Sequence, residues 1–337
     1  MKYALTNGAI LDGTISMRPV RGKTVIVNDG IIEEIEDCDR VKLNGCKIID
    51  MRNGYLMPGL INLCAHLSTN GYVGTRSKTL SKKLSGESLK KVAANPVLSF
   101  MEQTKIACRA KTELLSGVTT LVTENYGPGW VIDLRDKTDA GKKAGPRILI
   151  SASSACTDGQ PFGSAVTEVK NAGKKSAYVT TLASLFPYSH FRTDKTGLSE
   201  EDREKSETIF NNSLRQIATC FANKSLIGLG SGGGDDFVPH YSIKNELILL
   251  HKFCGFSNLQ ALNAATEVNA KIAGIDDITG RIAVGLEADL IVCAKNPLED
   301  LNALSDLVLV MERGKLFRKC KYYTFPEVDL LWQPHLM

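Results

Sequence analysis

The chain has 337 residues, with 41 Lys plus Arg against 37 Asp plus Glu for a formal charge of +4, and 43% hydrophobic residues. That length can bury a sizeable core as one large domain or two medium ones, while 23% charged residues and 29 glycines exclude disorder and collagen-like repeats. No apolar run approaches the ~20 residues of a membrane span, and a charge of +4 spread over the whole chain gives no case for nucleic acid.

From the N-terminus, the first 57 residues read as short strands and turns. YALTNGAILDG and KTVIVNDGIIEEIE each break a β-branched run at Asn-Gly or Asp-Gly, the strongest short-range hairpin signal, and CKIIDM adds a strand before Pro58-Gly59. The opening MKYALTNG turns polar at Thr6, too early for a signal-peptide core. LINLC then reads as a buried strand, and the basic run Arg76 to Lys91 has the lysine spacing of a solvated helix or loop. Residues 98–116 place apolar side chains at helical spacing and stop at Gly117, as at a C-cap. Strands GVTTLVT and GPRILIS follow, then AYVTTLASL, a helix over 199–222, the strand SLIGLGSGGG, and helices over 242–254 and 258–273. Strands alternating with helices in this way point to parallel βα units. GRIAVGLEADLIVCAKNP and DLVLVMERGKLFRK return to alternating strands, so the two β-rich ends are expected to close one small sheet domain.

Nine cysteines, at 38, 46, 64, 108, 156, 220, 254, 293 and 320, form no C-x-x-C and are odd in number. Buried reduced thiols are the expectation, not a disulfide framework or a zinc ribbon. With no leader in view, the expected location is cytoplasmic.

PGLINLCAHL, GVTTL, GPRIL, GLGSGGG, ALNAATEVNAKIAGI, GRIAVGLEADLIV and NPLEDL occur in one order with one spacing. This ordered set resembles the metal-dependent amidohydrolase superfamily, and within it the imidazolonepropionase-like and Xaa-Pro dipeptidase-like branch, over residues 3–154 and 176–326. The resemblance implies a distorted (β/α)8 barrel carrying a small β-sandwich built from both chain ends. It also implies one or two divalent metals, zinc by family, at the C-terminal barrel face. There they would polarise the carbonyl of a C–N bond, in a dipeptide or cyclic amide, and acidify a bound water.

Several positions depart from the family's pattern. Its H-x-H after PGLIN is Cys64-Ala65-His66, which keeps the second metal ligand and substitutes a thiol for the first. Its metal-binding aspartate and general base, in G-L-G-T-D, is Gly232, with no side chain to ligate or take a proton. Asp235 and Asp236 follow in a Gly-rich loop, read as a polar turn or as substitutes bent back toward the site. His240 matches a downstream histidine and is read as a loop or substrate-side residue, and Gln160 stands at the histidine of a TGGHG-like stretch. Only 24 residues, 154–177, precede the resumption of the match at the seventh barrel strand. TEVKNAGKK within them resembles the end of the preceding helix, so the three βα units carrying the remaining ligands have no counterpart. His190, His251 and His335 read as surface residues.

The expected fold class is α/β: a truncated TIM-like (β/α) barrel of about five recognisable strands plus a small β-sandwich formed by both termini. The expected division is 1–57 with 280–326 for the sandwich, 58–279 for the partial barrel and 327–337 for a C-terminal tail. Three functional readings stand open. One is an impaired or inactive relative of C–N bond hydrolases, with no metal or a weakly bound divalent one. Another is an active hydrolase with a site rebuilt from Cys64, His66, Asp235 or Asp236 with His240. The third is a non-catalytic binding protein, a homo-oligomer that covers the strand edges left by the missing units. A small-molecule ligand suits each; nucleic acid and membrane do not.

Overall fold

The computed structural model of the chain describes residues 1–72, 85–151, 166–169 and 177–337. Gln160, Cys156 and the basic run as far as residue 84 lie outside the described residues. No helix among the described residues is long and apolar enough to cross a membrane.

The N-terminal strands are β1 (Lys2–Thr6), β2 (Ala9–Ile10), β3 (Lys23–Asn28), β4 (Ile31–Asp37), β5 (Lys47–Asp50) and β6 (Tyr55–Pro58). β3 and β4 form the hairpin expected at Asp29-Gly30, whose φ values of 46° and 89° suit a type I′ turn. The run YALTNGAI is not a hairpin. Asn7 alone is left-handed there, so the chain bends without reversing. β1 pairs with β3 and β5, while β2 pairs with β6 in a different sheet.

Next come β7 (Leu60–Ala65), α1 (Gly86–Ala94), α2 (Pro96–Leu115), β8 (Val118–Glu124), α3 (Trp130–Asp139) and β9 (Arg147–Ser151). Asn95 caps α2 by accepting from the amides of Val97 and Leu98, and Pro96 begins the helix where its missing N–H costs nothing. β7, β8 and β9 are parallel neighbours. β10 (Val166–Val169) pairs antiparallel with β11 (Ala177–Thr180). Within TEVKNAGKK, read as a helix end, Thr167–Val169 are strand instead, since Val166, Thr167 and Val169 suit a pleated backbone better than a helical one, and residues 170–175 lie outside the described residues.

α4 (Leu182–His190), α5 (Thr193–Thr196) and α6 (Glu200–Ala222) lead to β12 (Leu226–Leu229), which is parallel to β11. A parallel bridge between Ala65 and Gly233 joins the end of β7 to the loop after β12. The C-terminal ends of β7 and β12 therefore meet. α7 (Ile243–Cys254), α8 (Asn258–Asn263), a π-helical turn over Ala264–Val268 and α9 (Asn269–Ala273) follow.

β13 (Leu290–Cys293), β14 (Leu307–Glu312) and β15 (Lys315–Phe317) complete the strands, with a second hairpin at Arg313-Gly314. One sheet runs β4-β3-β1-β5 and another runs β15-β14-β13-β6-β2. Leu5, Val25, Val27 and Ile49 of the first meet Leu56, Leu290, Val292 and Met311 of the second in one buried cluster. Each such side chain contributes roughly 1.5–3 kcal/mol of burial, so residues far apart in sequence hold one core.

The C-terminal tail carries a docked helix, α10 (Pro326–Leu336). Trp332 is buried on it and donates its Nε1–H to the Phe237 carbonyl at 2.7 Å. His190 and His335 are half-buried rather than fully at the surface. His190 stacks on Phe186 at 4.1 Å between centroids and meets Phe210 and Phe253, while His335 stacks on Phe191. The aromatic faces provide the apolar contact that a flat imidazole can match. His251 is exposed, as expected, with Nδ1 at the Phe256 carbonyl.

Candidate functional site

Two buried asparagines set the geometry where β7 and β12 meet. Asn269 donates to the carbonyls of Ile61 and Leu229 and accepts from the Leu229 amide, tying the two strands together. Asn62 accepts from the amides of Cys64 and Ser231 and donates to Ser231 Oγ and Glu113. Backbone groups that the strand end would leave unpaired are satisfied in this way.

His66 leaves the end of β7 with its backbone N–H donated to the Gly233 carbonyl. Its ring lies between two carboxylates: Nδ1 is 3.7 Å from Glu124 Oε1 and Nε2 is 3.6 Å from Asp235 Oδ1. These are ion-pair separations, too long for direct hydrogen bonds. Glu124 ends β8 and accepts from Ser68 Oγ. Asp235 is held by a turn in which its N–H donates to the Gly232 carbonyl. Burial raises the Asp235 carboxyl above the ordinary range, and His66 and the Ser184 hydroxyl pull it back.

Gly232 adopts φ +64°, and a Cβ on it would lie 1.8 Å from Ser184 Oγ and 2.9 Å from Asp235 Oδ2. The volume that a side chain at 232 would need is already filled. His240 is buried at 3% exposure, with Nδ1 2.9 Å from Glu113 Oε1 and Nε2 2.8 Å from the Thr69 carbonyl. It lies in the loop after β12, as expected, and with both ring nitrogens at internal acceptors it braces that loop against α2.

Of the residues singled out in the sequence, His66 and Asp235 come together. The polar-turn reading of Asp235 understates it, because the carboxylate points inward with 17% side-chain exposure. Asp236 turns away and accepts from Tyr188 Oη. Cys64 is buried and disulfide-bonded, against the expectation of reduced thiols. A sulfur in a disulfide has no thiolate to offer, so Cys64 could ligate only after reduction. Glu124, Glu113 and Ser184 escaped the sequence reading. A signal existed for Glu124, the acid that closes the strand GVTTLVTE, since catalytic groups of such folds sit at C-terminal strand ends.

A divalent metal needs about three protein ligands plus water. Among the described residues no group of three His, Cys, Asp or Glu side chains converges in that way. His66 has a carboxylate facing each nitrogen, and Gly232 cannot take a side chain without displacing Ser184. The described donor set does not fit the superfamily's metal centre.

Residues 192–317 match the model of the amidohydrolase family. No curated protein matches the chain. Among solved structures, the chain is similar to a putative prolidase from Bifidobacterium longum, at 24% identity and a TM-score of 0.80, covering 99% of this chain and 98% of that one. It is similar also to a Xaa-Pro dipeptidase with methionine bound in its active site, at 17% identity, TM-score 0.70, and 94% and 100% coverage. An A. niger ochratoxinase gives 16% identity, TM-score 0.68, and 94% and 95% coverage. The family match agrees with the superfamily that the motifs resemble, and the solved structures agree with a TIM-barrel-like α/β fold.

Proposed function

We propose that the chain is an amidohydrolase-superfamily protein, by ancestry a hydrolase of C–N bonds, whose hydrolytic metal centre is impaired. One observation carries this reading: the glycine at the family's metal-binding aspartate is backed by Ser184 and Asp235, which fill the space of the lost side chain. Without that general base, attack by a metal-activated water has lost one of its supports.

The proposal includes a truncated barrel over 58–279, capped by a composite sandwich from 1–57 and 280–326, as the frame of the site. The shared buried cluster of β1, β3, β5, β6, β13 and β14 supports that division. A small-molecule ligand, a homo-oligomer covering the barrel edges and a cytoplasmic location belong to the same reading. Exposed Val97, Phe100 and Met101 on α2 support the oligomer.

The test is metal analysis of protein purified with zinc, manganese or cobalt, alongside hydrolysis of Xaa-Pro dipeptides and cyclic amides. Substoichiometric metal and turnover indifferent to chelator are expected. Stoichiometric metal with chelator-sensitive turnover would sink the reading.

A second reading has one specific observation in its favour. Asp235 has folded back to face His66 and Glu124, the arrangement a rebuilt hydrolytic site would use. It requires His66→Ala and Asp235→Asn each to lower metal content, with His240 serving only to brace the loop.

A further inference from the structure

Four Asn-Gly pairs occur in the chain, at 7–8, 44–45, 53–54 and 70–71. Such a pair is chemically labile, because the unhindered amide nitrogen of glycine can attack the carboxamide carbon of the asparagine before it. The attack is intramolecular, so its rate depends on how readily the backbone brings the two atoms to about 3–3.5 Å. A fold that pins the pair suppresses it.

Three of the pairs are pinned. The Asn7 carbonyl accepts from the Asn53 amide at 2.8 Å, Asn7 Nδ2 donates to Asp50 Oδ1 at 2.8 Å, and Gly8 is buried against Met51. The Gly54 amide, which would attack Asn53, donates instead to the Met51 carbonyl at 2.9 Å, and the Gly54 carbonyl accepts from Ala9. The Gly71 amide donates to the Gly234 carbonyl at 3.2 Å, while Asn70 Oδ1 accepts from the Tyr72 amide. Each hydrogen bond that has to open slows attack by a factor of about two to about ten.

The pair at 44–45 differs on each count. Both residues are exposed, and neither the Asn44 carboxamide nor the Gly45 amide has a hydrogen-bond partner among the described residues. Gly45, at φ 75°, takes the left-handed corner of a turn closed by the Cys46 amide on the Leu43 carbonyl at 3.0 Å. A Cβ on Gly45 would meet nothing within 4 Å, so the Asn44–Gly45 peptide plane can rotate without collision. The turn stands just ahead of β5 in the sandwich, apart from the site at His66 and Asp235.

We propose that Asn44 is a site of spontaneous covalent modification, converted through a succinimide to aspartate and isoaspartate with water as co-reactant. The Gly45 nitrogen loses its proton to solvent base and bonds Asn44 Cγ. The Cγ–Nδ2 bond breaks, and the nitrogen leaves as ammonia with a proton from solvent. Water then opens the ring. Attack at Cγ restores the original main chain and gives aspartate, while attack at the Asn44 main-chain carbonyl leaves the chain running through Cγ, as isoaspartate. One water is consumed, one ammonia is released, and nothing is oxidised or reduced. Each event lowers the formal charge of +4 by one. The new carboxylate joins a turn flanked by exposed Lys42 and Lys47, whose charges favour it.

The test is to age the intact folded chain in mildly alkaline buffer and follow its tryptic peptides by mass spectrometry. The Leu43–Lys47 peptide should convert at least about tenfold faster than those holding Asn7, Asn53 or Asn70, as expected where the others must open two hydrogen bonds. In chain held unfolded by urea, the four pairs should convert at similar rates. Gly45→Ala should slow conversion at Asn44, because a methyl beside the attacking nitrogen hinders it. The proposal is overturned if Asn44 persists in the folded chain, if another pair converts as fast, or if the same ranking survives in urea. Aspartate formed without isoaspartate would overturn it too, since direct hydrolysis gives Gly45 no part, as would Gly45→Ala reacting at the native rate. The comparison of the four pairs within one native chain needs no substitution, so it decides the matter even where that variant fails to fold.

Discussion

Asp235 Oδ2 lies 2.9 Å from the point that a Cβ on Gly232 would occupy, and Ser184 Oγ lies nearer still, at 1.8 Å. The loop after β12 has closed over the position of the missing side chain. Replacing Gly232 by Ala should therefore destabilise the fold by roughly 2 kcal/mol or more, combining overpacking with a positive φ. Adding Ser184→Gly should recover part of that loss, since the two groups compete for one volume. A double-mutant cycle by urea denaturation reads this directly. Additive losses would show that the clash is relieved elsewhere.

A second prediction concerns Glu246, fully buried on α7. Its carboxylate accepts from Thr180 Oγ1 and from the amides of Leu182 and Ala183 at the start of α4. Burial outweighs these bonds and pushes its pKa up to about 7. The folded chain thus holds this proton more tightly than the unfolded chain does. Below the unfolded value near 4.5 the group costs nothing; as pH rises toward 7 it costs progressively more, then the cost levels off. The full span is on the order of 3 kcal/mol. Glu246→Gln should flatten this decline between about pH 5 and about pH 8, leaving the similar contribution of Glu312, which is also raised to about 7. Urea midpoints at the two pH values measure it, and an unchanged slope would refute it.

The same helix shows how far sequence reasoning reached. The periodicity of residues 243–254 gave α7, because an apolar stripe at 3.6-residue spacing needs only local information. That Glu246 would turn inward to the start of α4 depends on a contact 63 residues away, which no local pattern encodes. The hairpin at Asp29-Gly30 was legible because two left-handed residues define its turn. Asn7-Gly8 is an equivalent hairpin signal, but the sheet partners of β1 and β2 drew those strands apart. His66 was legible from its place after PGLIN. Its carboxylate neighbours were not, since Glu124 and Asp235 reach it only through the parallel pairing of β7 and β8 and the turn after β12. His240 likewise gave no sign of burial until α2 brought Glu113 to it.

Arg147 supplies a third prediction. It leaves β9 and bonds Glu287 at 2.6 Å and Asp289 at 3.1 Å, where the Asp289 side chain is fully buried. The Arg313 amide holds the other Asp289 oxygen. Arg147→Met removes the cation but leaves the buried carboxylate, a change that costs about 3–5 kcal/mol in comparable sites. Arg147→Met with Asp289→Asn should regain much of that loss, because no uncompensated charge remains. Thermal denaturation should rank the proteins as native, double variant, single variant. A single variant as stable as the native chain would mean that the pair contributes nothing net to the junction between β9 and the segment before β13.

The aromatic cluster under α10 makes a fourth prediction, on acid sensitivity. His190 is held below the ordinary histidine range by burial first, then by His335 and Arg203, with Glu207 pulling the other way. His335 is lowered by burial and by Lys252. Both rings therefore bind a proton less readily folded than unfolded. Their neutral packing contributes stability that is complete above the unfolded value of 6.5 and is lost as pH falls below it. Protonation would place a charge on a ring stacked 4.1 Å from Phe186, which also stacks on Trp332. The first element released should be α10, carrying Trp332 toward water. In a Trp130→Phe background, fluorescence should shift to the red between about pH 7 and about pH 5. His190→Phe keeps the aromatic stack but cannot take a proton, so it should diminish the shift. A red shift of undiminished size in that variant would place the acid response elsewhere, and a spectrum constant over the range would show that α10 stays docked whatever the charge on the two histidines.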